Sequence, residues 1–404
     1  MNPLRLVLVT RRYWPLVGSA ETAMSNLAAE FLRLGNHVTV VTAQWEKHWP
    51  HKVVHREVPV VRLPQPYQGG WGTLQYMRAL SKWLEQHHDE FDLAFVSMLR
   101  HDAYATIGSL ASTKVPVVLR VTSSGESGDC QWHGTARFGR RIARRSKKAN
   151  ALFISTKSAE DELRAAGYSA SKTYRVETGV PVVPSRDLAL RNAARKAFGK
   201  THDLLAIAED TPLVVYAGPF YEAMGLADLV NSWPTIASKW PRAKLWLSGE
   251  GPDGESLWKL IRQMELASQI IMPGSFDDLT EVFHAADVFV QPCHDDGQST
   301  FMLQAIAAGL AVVATETPDN RELMGDNDQM LVSPHDTSAL SSAIVNVLSD
   351  SDTAQQRAAT LRNHVYERFP LEQSAIEHLQ IFKRLITENA SYRKRPNLYV
   401  RVFD

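Results

Sequence analysis

Cysteine is nearly missing from this 404-residue chain, which carries only Cys130 and Cys293, far apart in sequence. That excludes a disulfide framework and a cysteine-built zinc site, and it suits a reducing, cytoplasmic setting. Net charge is missing as well: 44 basic residues stand against 44 acidic ones. A chain without bulk positive charge is not drawn to nucleic acid by its overall field, so no nucleic-acid partner is expected. No run approaches the roughly 18 consecutive apolar residues of a membrane span. The opening MNPLRLVLVTRRYWP is too short in its apolar part for a span or a secretory signal, and reads directly as a strand. Motifs of the forms GxxxxGK[ST], GxSxG and HExxH are lacking, as is any repeat of roughly 20 to 50 residues, which removes P-loop, serine-hydrolase, zincin and solenoid readings.

What is present is an ordinary soluble composition, 44% hydrophobic and 22% charged, on a chain too long for one core, so two or more domains are expected. The stretch most rich in signals runs from Asp287 to Thr315, DVFVQPCHDDGQSTFMLQAIAAGLAVVAT. Its pattern predicts a buried strand (Val288 to Gln291), a polar loop, an apolar helix from about Ser299 to Ala308 stopped by Gly309, and a second strand (Leu310 to Ala314). Such a unit delivers the loop to a helix N-terminus, where unpaired N–H groups and the helix dipole favour an anion, at the edge where open parallel sheets take their ligands.

Read as PC-HDDG-x6-Q-AIAAG-xAVVAT, this stretch resembles the signature PS-xxEG-x6-EAMAAG-xPVVAT of the GT-B glycosyltransferases of family 4, the glycogen- and sucrose-synthase type. In that family two glutamates eight positions apart hold the donor sugar and the nucleotide ribose; here Asp296 and Gln304 occupy those positions. The resemblance therefore implies roles for Asp296 at the reacting sugar, for Gln304 at the ribose, and for Gly297, Gln298, Ser299 and Thr300 along the helix entrance.

The first half of the chain opens with a strand (Leu4 to Thr10), the loop RRYWPLVGSAE, a helix from about Ala20 to Leu34 ending at Gly35, and a strand at His37 to Thr42. Gly18-Ser19-Ala20-Glu21 is similar to the GG-x-E loop that opens the family's acceptor domain, which places Gly18, Ser19 and Glu21 on the acceptor side. Arg11 and Arg12 leave the first strand, where they read either as solvated surface or as catalytic cations whose guanidinium groups reach a cleft anion. Further strands are expected at Asp92 to Ser97 and Val115 to Val121, followed by loops carrying His101-Asp102 and Thr122-Ser123-Ser124-Gly125. Family members often have a cleft histidine after the second of these strands. Thr122 stands there instead, with Arg120 two residues earlier, leaving His101, Arg120 and Thr122 as acceptor-side candidates.

Between Arg137 and Lys148, RFGRRIARRSKK sets Arg137, Arg141, Arg144, Arg145 and Lys148 on one helical face by the 3.6-residue period. The face reads either as solvated charge or as a contact for an anionic membrane surface, which would put the protein peripherally on the inner face of a membrane. Thr178-Gly179-Val180-Pro181 resembles the family's NGVD segment, and VPVVPSRD reads as a linker, so the first domain is taken as residues 1–182.

In the second domain, taken as 183–370, a strand at Leu213 to Ala217 runs into Gly218-Pro219-Phe220-Tyr221-Glu222-Ala223-Met224-Gly225. The family pattern is G-R-x3-E-K-G, in which Arg and Lys grip the donor diphosphate; Pro219 and Met224 stand at those two positions. Gly249-Glu250-Gly251-Pro252 and Pro273-Gly274-Ser275-Phe276 are further family-like turns, which adds Gly218, Gly249, Gly251 and Phe276 to the donor side. The remainder, 371–404, is expected to be a helix returning to the first domain, then a tail. His294-Asp295-Asp296 has metal-ligating chemistry, but three adjacent loop residues seldom converge on one ion, and no metal or other cofactor is expected. The resemblance implies two doubly wound α/β domains facing across a cleft and transfer of a sugar from a nucleotide-diphosphate sugar to a hydroxyl of a sugar, glycan or glycolipid, with retention. The alternative is a degenerate member that binds sugar, nucleotide or a partner without turnover.

Overall fold

The computed structural model describes residues 3–65, 69–126, 128–294, 299–325 and 330–392, with side chains to residue 389. Its first half runs β1 (Arg5–Val9), α1 (Ser19–Arg33), β2 (His37–Gln44), β3 (Lys52–His55), β4 (Val58–Pro64), α2 (Gly70–His87), β5 (Leu93–Ser97) and α3 (His101–Ser109). It continues through β6 (Val117–Arg120), α4 (Asp129–Thr135), α5 (Gly139–Ser146), β7 (Ala151–Ile154), α6 (Lys157–Ala165) and β8 (Thr173–Arg175). The second half runs α7 (Leu188–Thr201), β9 (Leu213–Ala217), α8 (Leu226–Lys239), β10 (Lys244–Ser248), α9 (Gly254–Gln263), β11 (Ile270–Gly274), α10 (Thr280–Ala285) and β12 (Val288–Gln291). Then come α11 (Thr300–Ala307), β13 (Ala311–Thr315), α12 (Pro318–Met324), β14 (Leu331–Val332), α13 (Thr337–Ser349), α14 (Ser351–Arg368) and α15 (Leu371–Tyr392).

The strands form two sheets, in the orders β3-β4-β2-β1-β5-β6-β7-β8 and β11-β10-β9-β12-β13-β14. Every described pairing is parallel except the β3–β4 hairpin. Central strands covered by helices on both faces read as continuous apolar runs, and β9 and β13 are buried at every residue. Order reverses between β1 and β5 in one sheet and between β9 and β12 in the other. Those reversals open a crevice beyond the carboxyl ends of the four strands, and ligand sites of open α/β sheets lie there.

Two helices that border the crevice end in the same way. At the end of α1, Gly35 donates to Leu32 and Asn36 to Phe31; at the end of α11, Gly309 donates to Ile306 and Leu310 to Ala305. Both glycines hold left-handed backbone (φ 83° and 79°), the conformation that closes this paired carbonyl cap without a Cβ penalty.

The halves are joined at a double crossing. Val180 donates its N–H to the Phe369 carbonyl and accepts from the Leu371 N–H, bracketing Pro370, and a Cβ on Gly179 would come within 2.5 Å of the Leu371 Cα. Arg175, Glu177, Glu322 and Arg368 form an ion-pair network beside it. Beyond the crossing, α15 lays Leu371, Ala375, Leu379, Phe382 and Leu385 into the first sheet's core against Phe31, Phe95 and Phe153.

The basic stretch departs from the single helical face expected from Arg137 to Lys148. Gly139 is pressed against the His133 carbonyl, and Phe138 turns left-handed (φ 88°), so the helix begins only at Gly139 and leaves Arg137 outside it. Lys148 lies past its end. Arg145 is half-buried: its guanidinium stacks 3.6 Å over Tyr104 and donates to the Tyr104 carbonyl at 3.1 Å. Arg137, Arg141, Arg144 and Lys148 remain exposed.

Candidate functional site

At the second sheet's reversal, the loops after β9 and β10 are drawn together backbone to backbone. Gly218 donates to Ser248, Phe220 to Glu250 and Gly249 to Gly274. A Cβ on Gly249 would sit 1.8 Å from the Gly218 carbonyl oxygen, and one on Gly251 would sit 2.3 Å from that of Phe220. These glycines are therefore required by close packing of the loops themselves, which shapes the crevice wall. Tyr216, fully buried, donates its hydroxyl to the Pro219 carbonyl at 2.9 Å, and Met224 packs on the apolar cluster beneath α8. Phe276 lies half-buried against Phe198, with ring centroids 5.7 Å apart. Between Val17 of the first half and Gly218, Gly249, Phe276 and Phe301 of the second, only a crevice of about 10 Å³ is left.

Electrostatics at this edge are one-sided. In sequence, none of the loops that follow the second sheet's strands contains lysine or arginine, whereas they carry Glu222, Glu250, Asp253, Asp277, Asp278, Glu316 and Asp336. The positive end of the edge is the entrance of α11. Ser299 caps it, its hydroxyl accepting the Met302 N–H at 3.2 Å, and the Thr300 N–H is donated across the crevice to the Ser19 hydroxyl at 3.0 Å. Asp296, Gly297 and Gln298 lie outside the described residues. Gln304, half-exposed on α11, faces a different space, an inter-sheet cavity of about 260 Å³ that it shares with Asn26, Arg56, Val180, Thr280 and Phe283.

On the first half, the expected arginines are engaged locally. Arg12 pairs with Glu21 at 3.1 Å, and Glu21 folds back over Gly18, its carboxylate occupying the space a Cβ there would need. Burial pushes the Glu21 carboxyl upward, and Arg12 pulls it back in part. Arg11 donates to Gln65 at 3.2 Å and Thr73 at 2.7 Å, with its guanidinium over Trp45 and Tyr76. Arg120 does not reach the crevice as a free cation: it is buried, donates to the Thr178 hydroxyl at 3.2 Å, and is pushed down to about 10 by burial. Thr122 is half-buried just beyond β6.

His101 sits edge-on to Trp132, ring centroids 5.1 Å apart, and burial, reinforced by Arg11 and Arg100, pushes it down to about 4, so it is a neutral imidazole at ordinary pH. Its neighbour Asp102 is buried and pushed up to about 7 by burial, against the opposing pull of Arg11 and the Tyr76 hydroxyl. Sequence reasoning singled out Arg11 and His101 but not the partners that surround them. Asp102 was visible as the residue after His101; Tyr76 and Thr73 come from α2, whose packing role only the fold reveals. Arg11, Tyr76, His101 and Asp102 thus form one polar, largely buried group at the carboxyl ends of β1 and β5, suited to hydroxyl-rich ligands through neutral donors and acceptors beside one guanidinium.

Comparison with known proteins adds to this geometry. Residues 211–350 match the family described as glycosyl transferases group 1, and residues 18–179 match the glycosyl transferase 4-like domain. Among relatives, the chain is 20% identical over 184 residues to the N-acetyl-alpha-D-glucosaminyl L-malate synthase of Bacillus anthracis, covering 45% of this chain and 48% of that protein. It is 26% identical over 211 residues to the glycogen synthase of Mycobacterium tuberculosis, covering 51% of this chain and 49% of that protein. The chain thus spans about half the length of the curated relatives it matches. Among solved structures, sucrose-phosphate synthase from Thermosynechococcus elongatus superposes with a TM-score of 0.76 at 18% identity, over 95% of this chain and all (100%) of that one. Anabaena HepE in complex with UDP and glucose superposes with a TM-score of 0.74 at 14% identity, over 94% of this chain and 100% of that one.

Proposed function

This chain belongs to the glycosyl transferases of group 1, and we propose that it transfers a sugar from a nucleotide-diphosphate sugar to a hydroxyl of a glycan or lipid acceptor, with retention at the anomeric carbon. The observation that carries this is the meeting of the two crevice edges at Ser19 and Thr300, which sets the amide-lined entrance of α11 directly against the acceptor-side loop. In this scheme the second half holds the donor. Gly218, Gly249, Gly251 and Phe276 shape its wall, Ser299 and Thr300 present the helix entrance to its phosphates, and Gln304, which lines the separate inter-sheet cavity, is assigned to the ribose by the motif alone. The first half holds the acceptor near Arg11, His101 and Asp102. Asp296 is assigned to the reacting sugar by the motif alone. Complexes of similar folds with UDP and glucose support a nucleotide sugar as the donor class.

A second scheme, binding of sugar or nucleotide without turnover, is favoured by one specific observation: the second sheet's loops lack lysine and arginine, while Arg11 and Arg12 are both held within the first half. Charge on a leaving diphosphate is stabilised by fixed donors, and losing one commonly lowers rate by about 10²- to 10³-fold. NMR of a panel of nucleotide sugars with the protein separates the two. Appearance of the nucleoside diphosphate with a sugar product of unchanged anomeric configuration supports transfer; tight binding with every donor intact after prolonged incubation supports the second scheme.

No helix among the described residues is long and apolar enough to cross a membrane. The exposed Arg137, Arg141, Arg144 and Lys148 are assigned here to an anionic membrane surface, where a lipid-linked acceptor would be presented.

A further inference from the structure

Three side chains from three separate segments of the second half converge beside the crevice: Asp228 in the first turn of α8, His294 after β12, and His335 after β14. The His294 Nε2 lies 2.8 Å from the Asp228 Oδ2, and the His335 Nδ1 lies 3.2 Å from the same oxygen. The two imidazole rings are 3.7 Å apart by centroid, and the nearest ligand atoms of all three residues fall within 4.8 Å of one another. His294 reaches this point because Gly225 has no side chain; a Cβ there would be 2.9 Å from its Nε2 and 1.9 Å from the Pro292 carbonyl oxygen. His335 is held in left-handed backbone (φ 65°), which an ordinary side chain adopts at a cost.

We propose that Asp228, His294 and His335 form a binding site for one divalent transition-metal ion of the zinc class, with an open coordination position directed at the phosphate end of the donor crevice. Two imidazole nitrogens and one carboxylate oxygen suit zinc, cobalt or nickel in preference to magnesium or calcium, which take oxygen ligands. With bonds of about 2.0 to 2.2 Å, ligand atoms on a tetrahedral ion lie a little over 3 Å apart, close to the 2.8 and 3.2 Å that already separate the Asp228 oxygen from the two histidine nitrogens. Each imidazole would turn the lone pair of one ring nitrogen toward the ion and carry its ring proton on the other. Three protein ligands leave the fourth position for water or an oxygen of a bound molecule.

The surroundings favour a cation over an anion at this point. A carboxylate lies at the centre of the group, and the neighbouring loops are acidic, with no lysine or arginine in any of them. An anion placed between the two histidines would meet Asp228, whereas a divalent ion would be met by it. Once bound, the ion supplies the positive charge that these loops do not. The part of the inference that directs its open position to a diphosphate rests on the proposed transferase function; the ion site itself does not.

The test uses the full chain, freed of metal by chelator and titrated with cobalt(II) as the probe. One cobalt per chain, with the strong visible absorption of a four-coordinate ion, is expected. Asp228→Asn and His335→Gly should each weaken cobalt affinity by at least about 100-fold, beyond the 10- to 100-fold cost of changing groups that merely orient a ligand. The glycine suits the backbone at 335, so an unchanged melting temperature in that variant keeps the result interpretable. No uptake, or uptake indifferent to both variants, overturns the site. UDP, GDP and ADP are then added to the cobalt-loaded protein: a shift in the visible spectrum supports the open position facing a diphosphate. A nucleotide that binds by calorimetry without moving the spectrum overturns that part and leaves the transferase scheme intact. No nucleotide binding at all overturns the transferase scheme, and with it the diphosphate assignment, and leaves the ion site standing on the cobalt titration.

Discussion

The Ser19 hydroxyl accepts the backbone N–H of Thr300 at 3.0 Å, a bond between residues 281 positions apart that joins the N-terminal ends of α1 and α11 across the crevice. That N–H is one of the free donors a helix start offers an anion, so a diphosphate at this entrance must displace Ser19. Ser19→Ala removes the competitor. A hydrogen bond of this kind is worth about 1 kcal/mol net, so nucleoside-diphosphate affinity in the variant should rise by up to about fivefold in calorimetry. Weaker binding would show instead that Ser19 belongs to the ligand's own contacts.

Gln304 projects from α11 into the cavity it shares with Asn26, Arg56 and Thr280. An amide both donates to and accepts from a hydroxyl, so Gln304→Ala should weaken nucleotide binding by roughly 1 kcal/mol or a little more. Equal affinities for nucleotide in wild type and variant would remove this residue from the ribose site.

Asp102 gives the first half a pH signature. Its carboxyl titrates near 3.8 when exposed and is pushed up to about 7 by burial in the fold. Between those values the folded state keeps a proton that the unfolded chain has released. The associated stability is complete below pH 4 and is lost as pH rises through 7, by about 4 kcal/mol as an order of magnitude. Asp102→Asn, a neutral copy of the protonated acid, should match wild type only below about pH 4, and exceed it increasingly as pH rises to 7 and 8, in denaturant unfolding. Parallel stability profiles would contradict the buried neutral acid.

The exposed basic residues give a fourth expectation. With Arg145 committed to Tyr104, the cations left for a membrane are Arg137, Arg141, Arg144 and Lys148, each worth about 1 kcal/mol near an anionic surface. The protein should sediment with phosphatidylglycerol vesicles at low salt and release as salt rises, because screening shortens the reach of each charge. Recovery in the supernatant at low salt would mark these residues as solvated surface.

Much of the frame was legible because it is written in apolar periodicity and glycine stops. The strands at Leu213–Ala217 and Val288–Gln291 and the caps at Gly35 and Gly309 followed from local pattern, where propensity and tertiary structure agree. The β3–β4 hairpin and α2 went unread: KVVH and VPVVRLP alternate weakly around a left-handed Arg56-Glu57 turn, and α2 buries only a narrow face through Tyr76, Leu80 and Leu84. The candidate site was legible as positions but not as partnerships. Nothing in RRYW tells that Arg12 turns to Glu21 and Arg11 to Gln65 and Thr73, because those contacts span from nine to 62 residues and depend on how α2 is laid on the sheet. The same holds for His294, which adjacency linked to Asp295 and Asp296 but the fold links to Asp228 and His335.

The central claim, that the second half holds a nucleotide-diphosphate sugar, is tested most directly by the unfolding free energy of the full chain in UDP, GDP and ADP and their sugar conjugates. A ligand at 100 times its Kd stabilises the native state by about 2.7 kcal/mol. The account predicts that one nucleotide series gives a rise of this size and that its sugar conjugate gives at least as much. No rise with any of the three series, at concentrations up to several millimolar, would contradict it.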